Sequence, residues 1–296
     1  MTWPLDCIRP SELLANHTSF RIGGPAEWFA EPSSMEELAS VLRQASQAGL
    51  PVSILGGGTN TLAGDRGIRG LVIHLGPGFR TIQELSHPEE PLARVVCGAA
   101  LPTQRLVSLA AKYGWGELEI LAGLPGQVGG AVAMNAQGIG RFVQQIHLVT
   151  WDGTVRQLTR EQLQFSYRYT ALEPGIVVGA VLEFPRVAPQ DAYERVQRTV
   201  QNRNATQEIQ LPSAGCAFKN PAGVGAGRLI DHAGLKGARI GDAQVSFRHA
   251  NFIVNLGRAT CDDVLSLMEH IQQRVERQFA VRLEPEVRMI GEQWQR

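Results

Sequence analysis

Residues 122–138, AGLPGQVGGAVAMNAQG, hold five glycines and a proline and carry almost no side-chain bulk over seventeen positions. A structural loop of that length has no need to be both apolar and glycine-rich. A surface that receives the flat edge of a large planar ligand does. The competing reading is a buried strand–turn–strand corner. A second run, VSILGGGTN at 52–60, leads an apolar stretch into Gly56, Gly57 and Gly58, then Thr59 and Asn60. Consecutive backbone N–H groups in such a turn cradle phosphate oxygens without a lysine, and Thr59 and Asn60 add side-chain donors. The run is neither a Walker motif nor GxGxxG, and alone it reads equally well as a surface turn. A third small-residue turn, SFRIGGPA at 19–26, brings Arg21 as an anion or ring contact.

The 296-residue length allows two domains, and 44% hydrophobic residues suit a globular chain. Lys plus Arg and Asp plus Glu both number 28, so the net charge is zero and no bulk electrostatic force favours nucleic acid or an anionic membrane. The start, Met1 to Pro10, lacks a long apolar run, which argues against a signal peptide, and no stretch reaches a membrane-span length. Cys7, Cys97, Cys216 and Cys261 are far apart and form no CxxC pair, so a reducing cytoplasm is expected. The seven histidines show no metal-binding spacing, and no metal is expected.

The periodicity predicts a helix over 34–50, with Ser34 and Glu37 as a capping box and Leu38, Val41, Leu42 and Ala45 on one face. Buried strands are expected at Val52–Leu55, Leu71–Leu75 and Ala93–Leu101. Pro102 opens a helix to Tyr113, stopped by Gly114. Val143–Leu158 reads as a hairpin with Asp152-Gly153 at its turn, and Gly175–Phe184 as a strand. Val187–Gln210 is polar and reads as a connecting helix. Asp262–Phe279 reads as a helix capped by Thr260 and Asp263. A boundary near 186–195 divides the chain into 1–190 and 191–296.

Taken in order, eight segments resemble the UDP-N-acetylenolpyruvoylglucosamine reductase (MurB) family: SFRIGGPA at 19, GGGTN at 56, AGLPGQVGGAVAMNAQ at 122, SYRYT at 166, PSAGCAFKNP at 212, GRLIDHAGLKG at 227, DAQVSFRHANFIVN at 242 and EPEVRMIG at 284. The short span between SYRYT and GIVVGAVLEF looks like the family's second class, which lacks a tyrosine-loop insertion. The resemblance implies an α+β fold: an FAD-binding unit of the vanillyl-alcohol-oxidase type in two subdomains (1–190), and a smaller α+β substrate domain (191–296). It implies non-covalent FAD, NADPH as co-substrate, reduction of UDP-N-acetylglucosamine enolpyruvate in peptidoglycan precursor synthesis, and a cytoplasmic location. No nucleic acid or membrane partner is expected, and a monomer is.

FAD contacts are then expected from Arg21, Gly56, Gly57, Gly58, Thr59, Asn60, Gly123, Pro125, Gly126, Gly129, Gly130, Ala131 and Asn135. The reaction places hydride on a methylene carbon, builds negative charge beside a carboxylate, and ends in protonation. Arg168 matches the family's carboxylate-binding arginine, and a guanidinium suits that role through two parallel hydrogen bonds. Glu286 matches the catalytic glutamate; Glu284 would share its side of a strand, and only the motif chooses between them. Cys216 departs from the family, which usually has a serine as the proton donor after PSAG. A thiol is the stronger acid of the two. Lys219, Asn220, Arg203, Gln244 and Arg288 are further expected substrate contacts, each with a solvated surface role as the plain alternative. The rival readings are another flavoenzyme of the same fold, such as a sugar or alcohol oxidase, and a sensor that has lost the chemistry. PSAGCAFKNP and EPEVRMIG argue against the first, Arg168 with Glu286 against the second.

Overall fold

The computed structural model describes residues 5–291, so Met1 to Pro4 of the Met1–Pro10 start lie outside the described residues. The chain forms two compact units, each drawn from several stretches of sequence. The first comprises Met1–Arg9, Phe29–Gly57 and Leu71–Arg203; the second comprises Pro10–Trp28, Gly58–Gly70 and Asn204–Arg296.

The first unit is built on a five-stranded antiparallel sheet in the order Ile82–Glu84, Leu92–Gly98, Gly175–Pro185, Val143–Thr150, Val155–Thr159. Its central strand, GIVVGAVLEFP, is buried almost throughout, as an unbroken apolar run between two partners requires. Ala180, Leu182 and Phe184 share a core with Val95, Ile146, Leu158 and Val128. Helix α1 (Met35–Gln47) starts where its cap predicts: the Ser34 hydroxyl accepts the Glu37 N–H, and Leu38, Val41, Leu42 and Ala45 are buried. Helix α2 (Thr103–Tyr113) follows Pro102 and ends on a left-handed Gly114. Helix α3 (Val128–Ala133) lies within the glycine-rich stretch, where neither a ligand surface nor a strand corner specified a helix. The expected buried strand at Val52–Leu55 is only Val52–Ile54 and is part-exposed; its apolar run reflects its parallel pairing with Leu71–Ile73, not full burial. The strands expected from Leu71 and to Leu101 instead span Ile68–Ile73 and Leu92–Gly98. Helix α4 (Pro189–Thr206) buries only Ala192 fully, matching its polar composition.

The second unit carries a four-stranded antiparallel sheet ordered Ser213–Cys216, Phe252–Asn255, Ala243–Val245, Arg239–Ile240. Helices α5 (Ala226–His232) and α6 (Cys261–Phe279) cover it, with Val264, Leu267, Met268, Ile271 and Val275 packed against Phe20, Ile22, Leu62 and Phe218. The α6 N-terminus is closed on every side. Thr260 Oγ1 accepts the Asp263 N–H, and Asp263 Oδ2 accepts the Thr260 N–H, each at 3.0 Å. The Asp65 carboxylate accepts the N–H groups of Cys261 (2.8 Å) and Asp262 (3.1 Å). Four N–H groups that a helix start leaves open are thereby satisfied. Among the described residues no helix is long and apolar enough to cross a membrane.

Thr260→Ala should cost about 1 kcal/mol of stability, the usual loss for an N-cap hydroxyl. A denaturant midpoint equal to wild type would show that Asp65 alone carries the cap.

Candidate active site

In the first unit the two glycine runs meet. A Cβ on Gly57 would lie 3.2 Å from Gly126 Cα, and one on Gly56 would lie 3.7 Å from Gln127 Oε1. Gly129 is tight for a different reason: a Cβ there would reach Ala99 Cβ at 2.7 Å. Gly130, exposed on α3, meets nothing within 4 Å and has an ordinary helical backbone. Pro125 and Gly123 are exposed beside it, and Ala131 is buried. Asn135 uses both ends of its amide within the protein: Nδ2 donates to Ser166 C=O (2.9 Å) and Oδ1 accepts the Gly140 N–H (2.9 Å).

That Asn135 bond fixes the turn that presents Arg168. Residues 164–166 and 169–171 pair antiparallel with Ser166 opposite Tyr169, so Tyr167 and Arg168 form a two-residue turn. Thr170 Oγ1 donates to Val132 C=O at 2.6 Å. The hairpin is thus held to α3 through Thr170 and to the segment just after α3 through Asn135. Arg168 has φ +57°, a left-handed conformation at the second turn position, where glycine or asparagine is the ordinary choice. Its guanidinium carbon lies 5.5 Å from the Tyr167 ring centre. Arg203, near the end of α4, donates from Nη2 to Ile120 C=O at 2.8 Å.

In the second unit, Cys216 ends a strand that bulges at Gly215 (φ +73°), between the pairs Ser213–Val254 and Cys216–Phe252. A left-handed glycine in a bulge re-aims the residue after it. The next residue is held by both of its backbone groups: Ala217 N–H donates to Asn251 C=O, and Ala217 C=O accepts the Glu286 N–H, both at 2.8 Å. Glu286 therefore sits beside the Cys216 segment. Asn60 Nδ2 donates to Glu286 C=O (3.0 Å), and Asn60 C=O accepts the Arg288 N–H (2.9 Å). The GGGTN run thus reaches the EPEVRMIG segment through Asn60, and Thr59 precedes it half-buried. Glu284 and Glu286 flank Pro285, which bridges antiparallel to Phe218, just before the strand Arg288–Ile290. The Glu284 carboxylate is 73% exposed and pairs with Lys219 at 3.2 Å, while Glu286 is half-buried. The structure so separates the two glutamates that the sequence alone left equivalent.

The remaining expected contacts serve the protein in visible ways. Asn220 Oδ1 accepts the Ala226 N–H at the start of α5 (2.9 Å). Gln244 Nε2 donates to Gly237 C=O (3.2 Å). Arg288 is exposed, and so is Arg21, which has φ +55°. Gly58 (φ +63°) is demanded by the fold, since a Cβ there would lie 1.9 Å from His17 C=O. Ser19 Oγ donates to Ser213 C=O (2.6 Å), tying the SFRIGGPA turn to the Cys216 strand.

Asn251 was not singled out by the sequence reading. It is 2% exposed, and its amide closes both polar groups of Phe218: Oδ1 accepts the N–H (3.0 Å) and Nδ2 donates to the C=O (2.8 Å). An asparagine between apolar residues in HANFIVN was the available signal, since a buried amide must be bonded.

The first unit carries a glycine-lined surface and the second holds the Cys216 and Glu286 segments side by side; the family matches make the chain an FAD-binding oxidoreductase. Residues 26–159 match the family described as FAD binding domain, and residues 207–290 match UDP-N-acetylenolpyruvoylglucosamine reductase, C-terminal domain. The chain belongs to the UDP-N-acetylenolpyruvoylglucosamine reductase family. It is 45% identical to UDP-N-acetylenolpyruvoylglucosamine reductase 2 of Symbiobacterium thermophilum, over 96% of this chain and 92% of that one. It is 38% identical to the Bacillus subtilis reductase, over 96% and 94%. The crystal structure of MurB from Thermus caldophilus superposes with a TM-score of 0.78 at 36% identity, covering 95% of this chain and 99% of that one.

The residues present fit FAD. Glycine in a helix costs about 0.5–1 kcal/mol relative to alanine, and nothing in the protein crowds Gly130. A glycine kept where the fold does not need it marks room for a ligand. Gly130→Ala should therefore raise the stability of the flavin-free protein by about 0.5–1 kcal/mol while lowering flavin retention on gel filtration. Full flavin occupancy in that variant would remove the ligand from this face of α3.

Arg168→Gly should leave stability unchanged or raised by up to about 1 kcal/mol, since it relieves the left-handed strain. It should abolish sugar-nucleotide turnover. A loss of stability above about 2 kcal/mol would make Arg168 a structural residue.

Proposed function

We infer that the chain catalyses NADPH-dependent reduction of UDP-N-acetylglucosamine enolpyruvate to UDP-N-acetylmuramate through FAD, in peptidoglycan precursor synthesis. The observation that carries this reading is identity of 38–45% with named reductases along almost the whole chain. The test is substrate-dependent oxidation of NADPH by the purified yellow protein. No NADPH consumption upon adding the enolpyruvyl nucleotide would refute it.

When bound, FAD carries hydride from NADPH to the methylene carbon of the substrate. The chain's own residues manage charge and proton. Arg168 holds the carboxylate through its planar fork and stays charged throughout. Glu286, in its neutral form, donates a hydrogen bond to the charge that develops beside that carboxylate; ionised, it would repel it. Cys216 gives its thiol proton to the carbon bearing the carboxylate. The carbon–carbon π bond is lost, two C–H bonds form, NADPH is oxidised by two electrons, and the thiolate recovers its proton from solvent. The support for this assignment is the bulge that re-aims Cys216 and the backbone hydrogen bond that Glu286 N–H donates to Ala217 C=O.

FAD contacts from the two glycine runs and from Arg21, and substrate contacts from Lys219, Asn220, Gln244 and Arg288, are part of the same proposal. We place the protein in the cytoplasm, where NADPH is found and where its four cysteines, none in a disulfide, would stay reduced.

Cys216→Ala should be reduced normally by NADPH and then reoxidise at least about a hundredfold more slowly with the sugar nucleotide, the usual scale for losing a general acid. Cys216→Ser should keep much of the activity. Burial pushes the Cys97 and Cys261 thiols up to about 12 and raises Cys7, so an alkylating agent at pH 8 should select Cys216, with product protecting it. Wild-type turnover by Cys216→Ala would defeat the assignment.

A further inference from the structure

The five-stranded sheet of the first unit has a second face, turned away from α3. Side chains alternate between the two faces along a strand, and Ile146 and Leu158 pack with Val128 and Val132 of α3. Their neighbours His147 and Gln157, direct cross-strand partners, therefore stand on the other face. One row crosses the sheet there, Gly98, Gly179, His147 and Gln157, each opposite the next. The turn Pro77–Phe79 rests on Gly98, where a Cβ would lie 2.2 Å from Phe79 C=O. The same turn is pressed against the residues that lead into α1, since a Cβ on Gly78 would lie 1.7 Å from Ser33 C=O. Gly179 differs: the nearest atoms a Cβ would meet belong to the sheet, Cys97 C=O at 3.0 Å and His147 Nδ1 at 3.7 Å. Beside this row lies a cleft of about 310 Å³, walled by Ser33, Ser34, Phe79 and Thr81, with His147, Gln157 and Val178 on the sheet side.

The chemistry of the lining selects the occupant. The volume suits one nucleoside, at the small end of the ~300–1,000 Å³ range of ligand sites. Phe79 and Val178 are apolar, the hydroxyls and the amide are neutral, and none of the described lining residues carries a carboxylate, ammonium or guanidinium. Burial lowers the affinity of the His147 imidazole for the proton, so it too is uncharged at neutral pH. The Gln157 amide offers a donor and an acceptor side by side, the pattern that reads the major-groove edge of adenine, and the imidazole adds one of each. Among the described residues neither of these two side chains has a hydrogen-bond partner. Glu36 and Glu37 occupy the first turn of α1, and the Glu37 carboxylate accepts the Ser33 N–H at 2.7 Å, so the mouth of the cleft disfavours an anion. We propose that this cleft is a binding site for an uncharged adenine nucleoside, on the side of the sheet away from α3 and separate from the flavin and substrate surfaces.

The test is calorimetric titration of the flavin-loaded full-length protein with adenosine. One site per chain is expected, with flavin fluorescence showing no release of the cofactor. Gln157→Ala and His147→Leu should each weaken binding roughly tenfold, the scale of losing one hydrogen-bonding group from a site. Gln157 is exposed on an edge strand, so Gln157→Trp should fill the cleft and abolish binding while flavin content and melting midpoint stay those of wild type. Adenosine monophosphate should bind more weakly than adenosine. No binding of adenosine to the wild-type protein, or equal binding by wild type and all three variants, would overturn the proposal. Release of flavin on adding adenosine would place the nucleoside in the cofactor's own site and overturn it as well. Tighter binding of the monophosphate would point to a cationic site elsewhere, with the same consequence.

Discussion

The backbone of one residue, Ala217, holds together the segments that carry Cys216 and Glu286. The Ala217 N–H is held by Asn251, and its carbonyl holds the N–H of Glu286. The buried amide of Asn251 then secures Phe218 on both polar groups. Asn60 grips Glu286 from the other side. Each bond joins stretches far apart in the chain, and together they fix the Cys216 and Glu286 segments beside each other. A buried amide is costly unless fully bonded, and that cost makes the arrangement specific.

The first unit solves the same problem with strain. Arg168 occupies a backbone conformation that glycine adopts freely, and the turn is held by Asn135 and, against α3, by Thr170. Such strain persists only where surrounding bonds outweigh it. Helix α3 has a double duty: its carbonyl at Val132 anchors the hairpin, and its glycine face stays clear at Gly130. The open glycine face and the anchor of the arginine turn are therefore built on one six-residue element. A shift of α3 would move both.

How much of this was legible depended on whether the determining bonds were local. Helices α1, α2 and α6 were readable to within a few residues because their caps and apolar faces lie inside the segment itself. The part-exposed strand at Val52–Ile54 read as buried because period alone does not tell a core strand from a short parallel pair. Helix α3 was invisible because two adjacent glycines hide helical propensity. Glu284 and Glu286 were equivalent by spacing, and they part only through the Lys219 ion pair and the Ala217 carbonyl. Asn60 and Asn135 read as donors for a ligand; their amides are seen to bond the protein, over separations of 226 and 31 residues. No window along the sequence contains those partners.

Glycine shows the same divide within a single residue type. Gly58 is there because the His17 carbonyl lies where its Cβ would be, and any side chain would force the SFRIGGPA turn away. Gly129 is there because Ala99 presses on it. Gly130, next in sequence, has open space, an ordinary helical φ and a propensity cost that alanine would remove. The sequence writes all three with one letter. Only the space around each separates a glycine that lets the chain pass close to itself from one that lets something else come close. By that criterion the proposed cofactor face of the long glycine run narrows from seventeen positions to the exposed side of α3, while Gly57 and Gly126 close against each other.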